Sequence, residues 1–249
     1  MDLDLVGWLV VVLAVICIGA AKGGLTMIGA LAVPLLATVM NPVVAAGLTL
    51  PVFVISDIFG LIAFRGSYDR RVLAILMPAT ALGVGLGWLT AARVPEAAVT
   101  GLVGVIGLAF ALNALLRRGA QRVRPARVGP GVIWGAITGF TSFVSHSGAP
   151  PYQAYVMPLG LSPAVFAGTT TVCFAWVNAV KLIPYWALGQ INLSNLKLAL
   201  ILSIPAVISV FAAARLVRVM PQKLFYGFVT WALLLISVKL LWDAGRTLL

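Results

Sequence analysis

Residues 42–64 read PVVAAGLTLPVFVISDIFGLIAF, and residues 163–185 read PAVFAGTTTVCFAWVNAVKLIPY. Each stretch is 23 residues of almost unbroken apolar sequence, long enough as a helix to cross a hydrocarbon core of about 30 Å. Aligned by adding 121 to the residue number, Pro42, Val44, Ala46, Gly47, Thr49, Phe53 and Ile62 coincide with Pro163, Val165, Ala167, Gly168, Thr170, Phe174 and Ile183. With Leu61 on Leu182 as well, eight identities in 23 positions exceed the roughly two or three that such a composition gives by chance. The same shift sets Asp57 on Asn178 and Phe64 on Tyr185. The chain therefore reads as two related halves, and internal repetition is weighed before any site.

Working outward, apolar segments cover 3–21, 25–40, 43–64, 72–91 and 97–116, then 132–143, 149–161, 164–187, 196–216 and 222–242. Over all 249 residues the composition is 62% hydrophobic and 9% charged, with a mean hydropathy of +1.10. A water-soluble domain carries about 25% charged residues, so this chain is an all-α polytopic membrane protein. Cys17 and Cys173 lie inside apolar runs and read as small packing residues, with no disulfide framework and no metal spacing. The start Met1-Asp2-Leu3-Asp4 is acidic where a secretory signal needs a basic stretch, so the first segment is expected to be retained.

The formal charge of +11 would suggest nucleic-acid binding in a soluble protein. In a membrane chain it reflects the Lys and Arg that hold loops on the cytoplasmic side, and no nucleic acid is expected as a partner. Arg117, Arg118, Arg122, Arg124 and Arg127 form a basic linker without an acid, in which Pro125 stops the preceding helix. With that linker inside, Lys22, Arg65, Arg70, Arg71, Arg215, Arg218 and Lys223 also fall inside, making 12 of the 17 basic residues. Arg93 and Arg246 fall outside, and Lys181, Lys197 and Lys239 lie in or beside spans. Corresponding loops then occupy opposite faces. The expected organisation is a first repeat over 1–116, a cytoplasmic linker over 117–130 and a second, inverted repeat over 131–249, with about five segments each, 8–10 transmembrane helices and both termini periplasmic. The second segment of each half is short and broken by Pro34 or by Pro150, Pro151 and Pro158, which predicts broken or re-entrant hairpins.

The hairpin tips carry the candidate chemistry. The first holds Lys22, Gly23, Gly24 and Thr26, and the second Ser145, His146, Ser147 and Gly148. Glycine permits the tight turn, and a helix starting after it directs backbone N–H groups and its positive dipole end toward the loop, which suits an anion. Lys22 reads either as a substrate-facing cation or as an ordinary cytoplasmic loop lysine, and His146 as a ligand or as a helix-end residue bonded to a neighbouring carbonyl. Gly23 and Gly24 serve either the tip or close packing, whereas Gly83/Gly87 and Gly135/Gly139 read as helix-packing pairs. Asp57, costly at membrane depth, can accept a proton, pair with Lys22 or bond a neighbouring helix. Asp57 and His146 are thus the proton-coupling candidates, and Asn178 joins the substrate-binding set. Lys181 is expected to snorkel to the outer interface, with substrate binding as the alternative. No P-loop, nucleophile motif, metal cluster or carboxylate pair is present, so no catalytic residue, metal or cofactor is expected.

Gly23-Gly24 followed by Pro34-Leu35-Leu36, Asn41-Pro42 and Ala46-Gly47 resembles the sulfite exporter TauE/SafE family of membrane transporters. Ser145-His146-Ser147-Gly148-Ala149-Pro150-Pro151, then Tyr155-Val156-Met157-Pro158 and Phe166-Ala167-Gly168-Thr169, extends the resemblance through the second half. It covers the chain from Gly19 to about Trp242, with Ala21-Lys22 where many relatives have a longer glycine run and Ala149 in place of a frequent glycine. The resemblance implies a secondary transporter that exports a small sulfur-containing anion, sulfite or an organosulfonate, across a bacterial-type inner membrane. An anion channel, or an intramembrane enzyme acting on a lipid or sulfur compound, are the alternatives. The expected partners are the small anionic substrate and the lipid bilayer, with homo-oligomerisation left open.

Overall fold

In lipid, a spanning segment must satisfy its own backbone N–H and C=O groups, and an apolar run does so as a helix. The computed structural model describes residues 4–40, 42–90, 93–116, 123–145, 147–187 and 196–248. In the first half α1 is Leu5–Lys22, a 3-10 turn covers Thr26–Leu31, α2 is Ala32–Ala37, α3 is Pro42–Ala63, α4 is Arg70–Thr90 and α5 is Glu96–Leu116. In the second half α6 is Val128–Ser145, α7 is Ala149–Val156, a 3-10 turn covers Met157–Leu159, α8 is Pro163–Ala187, α9 is Leu196–Val219 and α10 is Gln222–Leu248. Asp4 caps α1 by accepting from the Gly7 N–H at 2.8 Å, and Asp69 caps α4 by accepting from the Val72 N–H at 2.9 Å. Helix α6 starts at Val128, three residues ahead of the expected start of the second half at 131. Pro130 is tolerated there because first-turn N–H groups have no partner within the helix.

Seven helices among the described residues are long and apolar enough to cross a bilayer, and α3, with 22 residues, matches them in length. The segments 26–37 and 149–159 are different. Their helical rise sums to only about 21 and 18 Å. They return from the ends of α1 and α6 as the short legs of two hairpins. Large apolar side chains such as Leu82, Ile133, Ile204 and Leu235 are exposed on the long helices, as they should be when lipid is the solvent. The chain is a multi-pass membrane protein.

Packing between the halves is reciprocal. Helix α4 lies on α6 while α1 lies on α9, α3 contacts α9 while α8 contacts α4, and α5 pairs with α10 as α3 pairs with α8. Small residues allow the closest crossings. A Cβ on Gly83 would collide with the Ala136 carbonyl, one on Gly139 with the Thr80 carbonyl, and one on Gly19 with the Ala206 carbonyl. A Cβ on Gly135 would stand 2.7 Å from that of Ala79, so the Gly83/Gly87 and Gly135/Gly139 pairs do serve the α4–α6 crossing. Gly139→Leu should therefore destabilise the fold by about 1–3 kcal/mol through overpacking, read as a lowered melting temperature of the purified protein in detergent. An unchanged melting temperature would mean that the crossing tolerates a wider separation. Cys17 and Cys173 are buried free thiols, in keeping with their reading as packing residues.

Candidate functional site

The first tip is a helix stop built on glycine. Gly24 has φ +104°, the Leu25 N–H donates to the Ala20 carbonyl at 3.0 Å, and the Gly24 N–H donates to the Ala21 carbonyl at 3.2 Å. These are the two bonds of a Schellman motif, and only a residue without Cβ adopts the required backbone at low cost. Space imposes the same demand, because a Cβ on Gly24 would lie 2.6 Å from that of Ala167. On Gly23 it would lie 2.6 Å from that of Ala213. Both glycines thus serve the turn and the packing of the tip between α8 and α9. Thr26 follows, its hydroxyl oxygen buried and without a hydrogen-bond partner among the described residues.

At the second tip Ser145 donates to the Thr141 carbonyl at 3.1 Å, and Ser147 donates to the Ser145 carbonyl at 2.9 Å. Each hydroxyl can accept as well as donate. Gly148 precedes α7 at a point where a Cβ would stand 2.8 Å from that of Ser142 and 2.9 Å from the Thr138 carbonyl. His146, the proton-coupling and ligand candidate of this tip, lies outside the described residues.

Between the tips runs a buried polar chain. Lys22 Nζ stands 2.6 Å from Asp57 Oδ1, and these side chains are only 9% and 7% exposed. Asn178 Nδ2 donates to Asp57 Oδ2 at 2.7 Å, the assignment an acceptor-only carboxylate requires. The two residues matched by the repeat, 121 apart, thus meet directly. The Lys22 ammonium also lies 5.2 Å from the centre of the Phe53 ring, and Thr171 donates to the Lys22 carbonyl at 3.0 Å. Further along α8, Lys181 donates to both the carbonyl and the hydroxyl of Ser142, at 3.1 Å each. Thr171, Asn178 and Lys181 are seven and three residues apart, so one stripe of α8 reaches the first tip at one end and the neighbourhood of the second at the other.

Two expectations are corrected. Lys22 is not an exposed loop lysine. It ends α1 inside the protein, because the hairpin turns before leaving the bundle, and Asp57 supplies the counter-charge that burial demands. It is therefore not one of the loop residues on which the expected orientation was counted. Lys181 does not snorkel. It is 3% exposed, and its helix runs six residues further to Ala187, so its stem turns inward to Ser142. Lys239 lies nine residues before the end of α10 at Leu248 and is paired with Asp243.

Sequence reasoning missed Ser142, Thr171 and Phe53. Ser142 is one turn before Ser145 on the same helix, and Thr171 is two turns before Asn178, so helical spacing alone would have placed both beside named candidates. Gln153 Oε1 and Ser56 Oγ are buried and, among the described residues, without a partner. No group of three or more potential metal ligands occurs among the described residues. The arrangement offers an anion buried hydroxyls, amide groups and ammonium groups in a low-dielectric setting where each counts for more than in water.

A family model described as sulfite exporter TauE/SafE matches residues 11–240, nearly the whole chain. No curated protein and no solved structure matches it. The chain belongs to the sulfite exporter TauE/SafE family, whose members are membrane transporters.

Proposed function

We propose that the chain is a secondary transporter that carries a small sulfur oxyanion or organosulfonate, sulfite being the simplest, out of the cytoplasm across a bacterial-type inner membrane. The observation that carries this reading is the buried set in which Lys22 pairs with Asp57, Asn178 bonds Asp57 and, one turn along α8, Lys181 bonds Ser142. When its three ionisable members are charged they sum to +1, so a bound monoanion brings the buried set to neutrality. The substrate sits among Lys22, Gly23, Gly24, Thr26, Ser145, His146, Ser147, Gly148, Asn178 and Lys181, with Asp57 and His146 available for proton coupling. Outward movement of one anion down an inside-negative potential is favourable by about 2.3 kcal/mol per 100 mV, so no nucleotide is required.

The two halves act as inverted repeats, and alternating access is a rocking of one against the other around the site. Three findings support this: the 121-residue correspondence, the Asp57–Asn178 bond, and the packing pattern that survives exchange of the halves. The orientation that accompanies it puts the linker around Arg124 in the cytoplasm and both termini in the periplasm. Single cysteines at Arg124 and near either terminus, in a background lacking Cys17 and Cys173, test it with an impermeant thiol reagent on intact cells. Labelling is expected at the termini only. Labelling at position 124 from outside would reverse the orientation.

The function is tested in liposomes loaded with sulfite, thiosulfate, a taurine-like sulfonate or a small carboxylate. Saturable counterflow of a sulfur anion is expected. Flux without counterflow would indicate a channel, product formation in detergent without a gradient would indicate an enzyme, and either would overturn the proposal.

A further inference from the structure

A groove of about 530 Å³ runs between the C-terminal ends of α3 and α9. Its apolar part is formed by Ile62, Phe211 and Ala212, and its other end by Arg65, Arg215 and Arg218. Ile62 and Phe211 are 57% and 44% exposed, so these walls face the surrounding lipid. The Phe211 ring meets Phe59 edge-on with centroids 6.1 Å apart. Arg218 is fixed: it donates to the Ala63 carbonyl at the end of α3 and lies 5.9 Å from the centre of the Phe64 ring. Arg65 and Arg215 are exposed and take part in no ion pair among the described residues. The acid nearest to Arg65 in sequence, Asp69, is occupied in capping α4. Three guanidinium groups thus stand at the level where helices leave the hydrocarbon, above an apolar channel directed into it.

We propose that this groove binds an anionic phospholipid, with its phosphodiester on Arg65, Arg215 and Arg218 and one acyl chain along Ile62, Ala212 and Phe211. Guanidinium groups match phosphate oxygens in a bidentate fork. A free oxyanion would use the arginines and leave the apolar wall uncovered, whereas a lipid satisfies both parts. Basic pockets between transmembrane helices on the cytoplasmic side bind anionic head groups in this manner. Which leaflet the lipid occupies rests on the orientation proposed above, but the binding itself does not depend on transport.

Native mass spectrometry of the detergent-purified full chain, titrated with phosphatidylglycerol or phosphatidylcholine, reads the site directly. One phosphatidylglycerol is expected to bind in preference to phosphatidylcholine. Arg65→Gln and Arg215→Gln should each weaken it about fivefold, the factor that about 1 kcal/mol per basic residue gives. Arg70→Gln/Arg71→Gln removes two positive charges outside the groove, twice the change in either groove variant, and should leave that affinity in place. Equal binding of the two lipids, native affinity in both groove variants, or an equal loss in the Arg70/Arg71 control would overturn the proposal. Displacement of the lipid by equimolar sulfate would do so as well, reassigning the arginines to a soluble oxyanion. The Arg65 side chain makes no hydrogen bond among the described residues, so Arg65→Gln is expected to fold and keeps the test decisive.

Discussion

Asp57→Asn is expected to destabilise the protein by about 3–5 kcal/mol, the usual cost of leaving one partner of a buried ion pair alone. The asparagine keeps the shape of the aspartate and can still bond Asn178, so what is lost is charge. Lys22 then holds an ammonium in a side chain 9% exposed, with the Phe53 ring 5.2 Å away as its remaining described electrostatic partner. A cation–π contact is worth about 2 kcal/mol when desolvated, too little to replace a carboxylate at 2.6 Å. The double variant Lys22→Met/Asp57→Asn removes the stranded charge and should recover most of the loss, because an apolar replacement of a buried pair is often neutral. Unfolding of the single and double variants in detergent gives the coupling energy directly. If Asp57→Asn melts with the parent protein, the pair does not hold the first tip.

Much of this was legible because membrane solvent simplifies the sequence. A run such as 43–64 has no stable alternative to a helix in lipid, and helix α3 at Pro42–Ala63 follows it within one residue at each end. Asp57 and Asn178 were legible as equivalent positions through the 121-residue correspondence, but not as bonded partners. The direction taken by Lys181 was not legible either. Hydropathy records its distance from the helix end, whereas its fate depends on which face of α8 it occupies and on Ser142 standing opposite. Only the packing of α8 against α6 supplies that. The arginines at 65, 215 and 218 illustrate the same limit. Charge counting assigns them to one side of the membrane but cannot show that α3 and α9 bring them to a single groove.

The two buried lysines should answer mutation in opposite ways, and this separates structure from transport. Lys22→Gln leaves Asp57 uncompensated beside Asn178, so it should cost stability much as Asp57→Asn does. Lys181→Gln removes a buried cation that donates to the Ser142 carbonyl and hydroxyl, and the glutamine amide can still donate to the carbonyl. Its fold should be retained, since a buried ammonium is costly to desolvate. What it loses is attraction for the anion. A hydrogen bond to a charged group is worth about 1.5–3 kcal/mol, so apparent affinity for a permanently ionised sulfonate should fall roughly 10- to 150-fold in counterflow, with the melting temperature unchanged or raised. The sulfonate is the right probe because it does not titrate across the working pH range and keeps substrate protonation out of the comparison. Native affinity in Lys181→Gln would remove that lysine from the binding site and leave the α8 stripe as a structural bridge between the two tips.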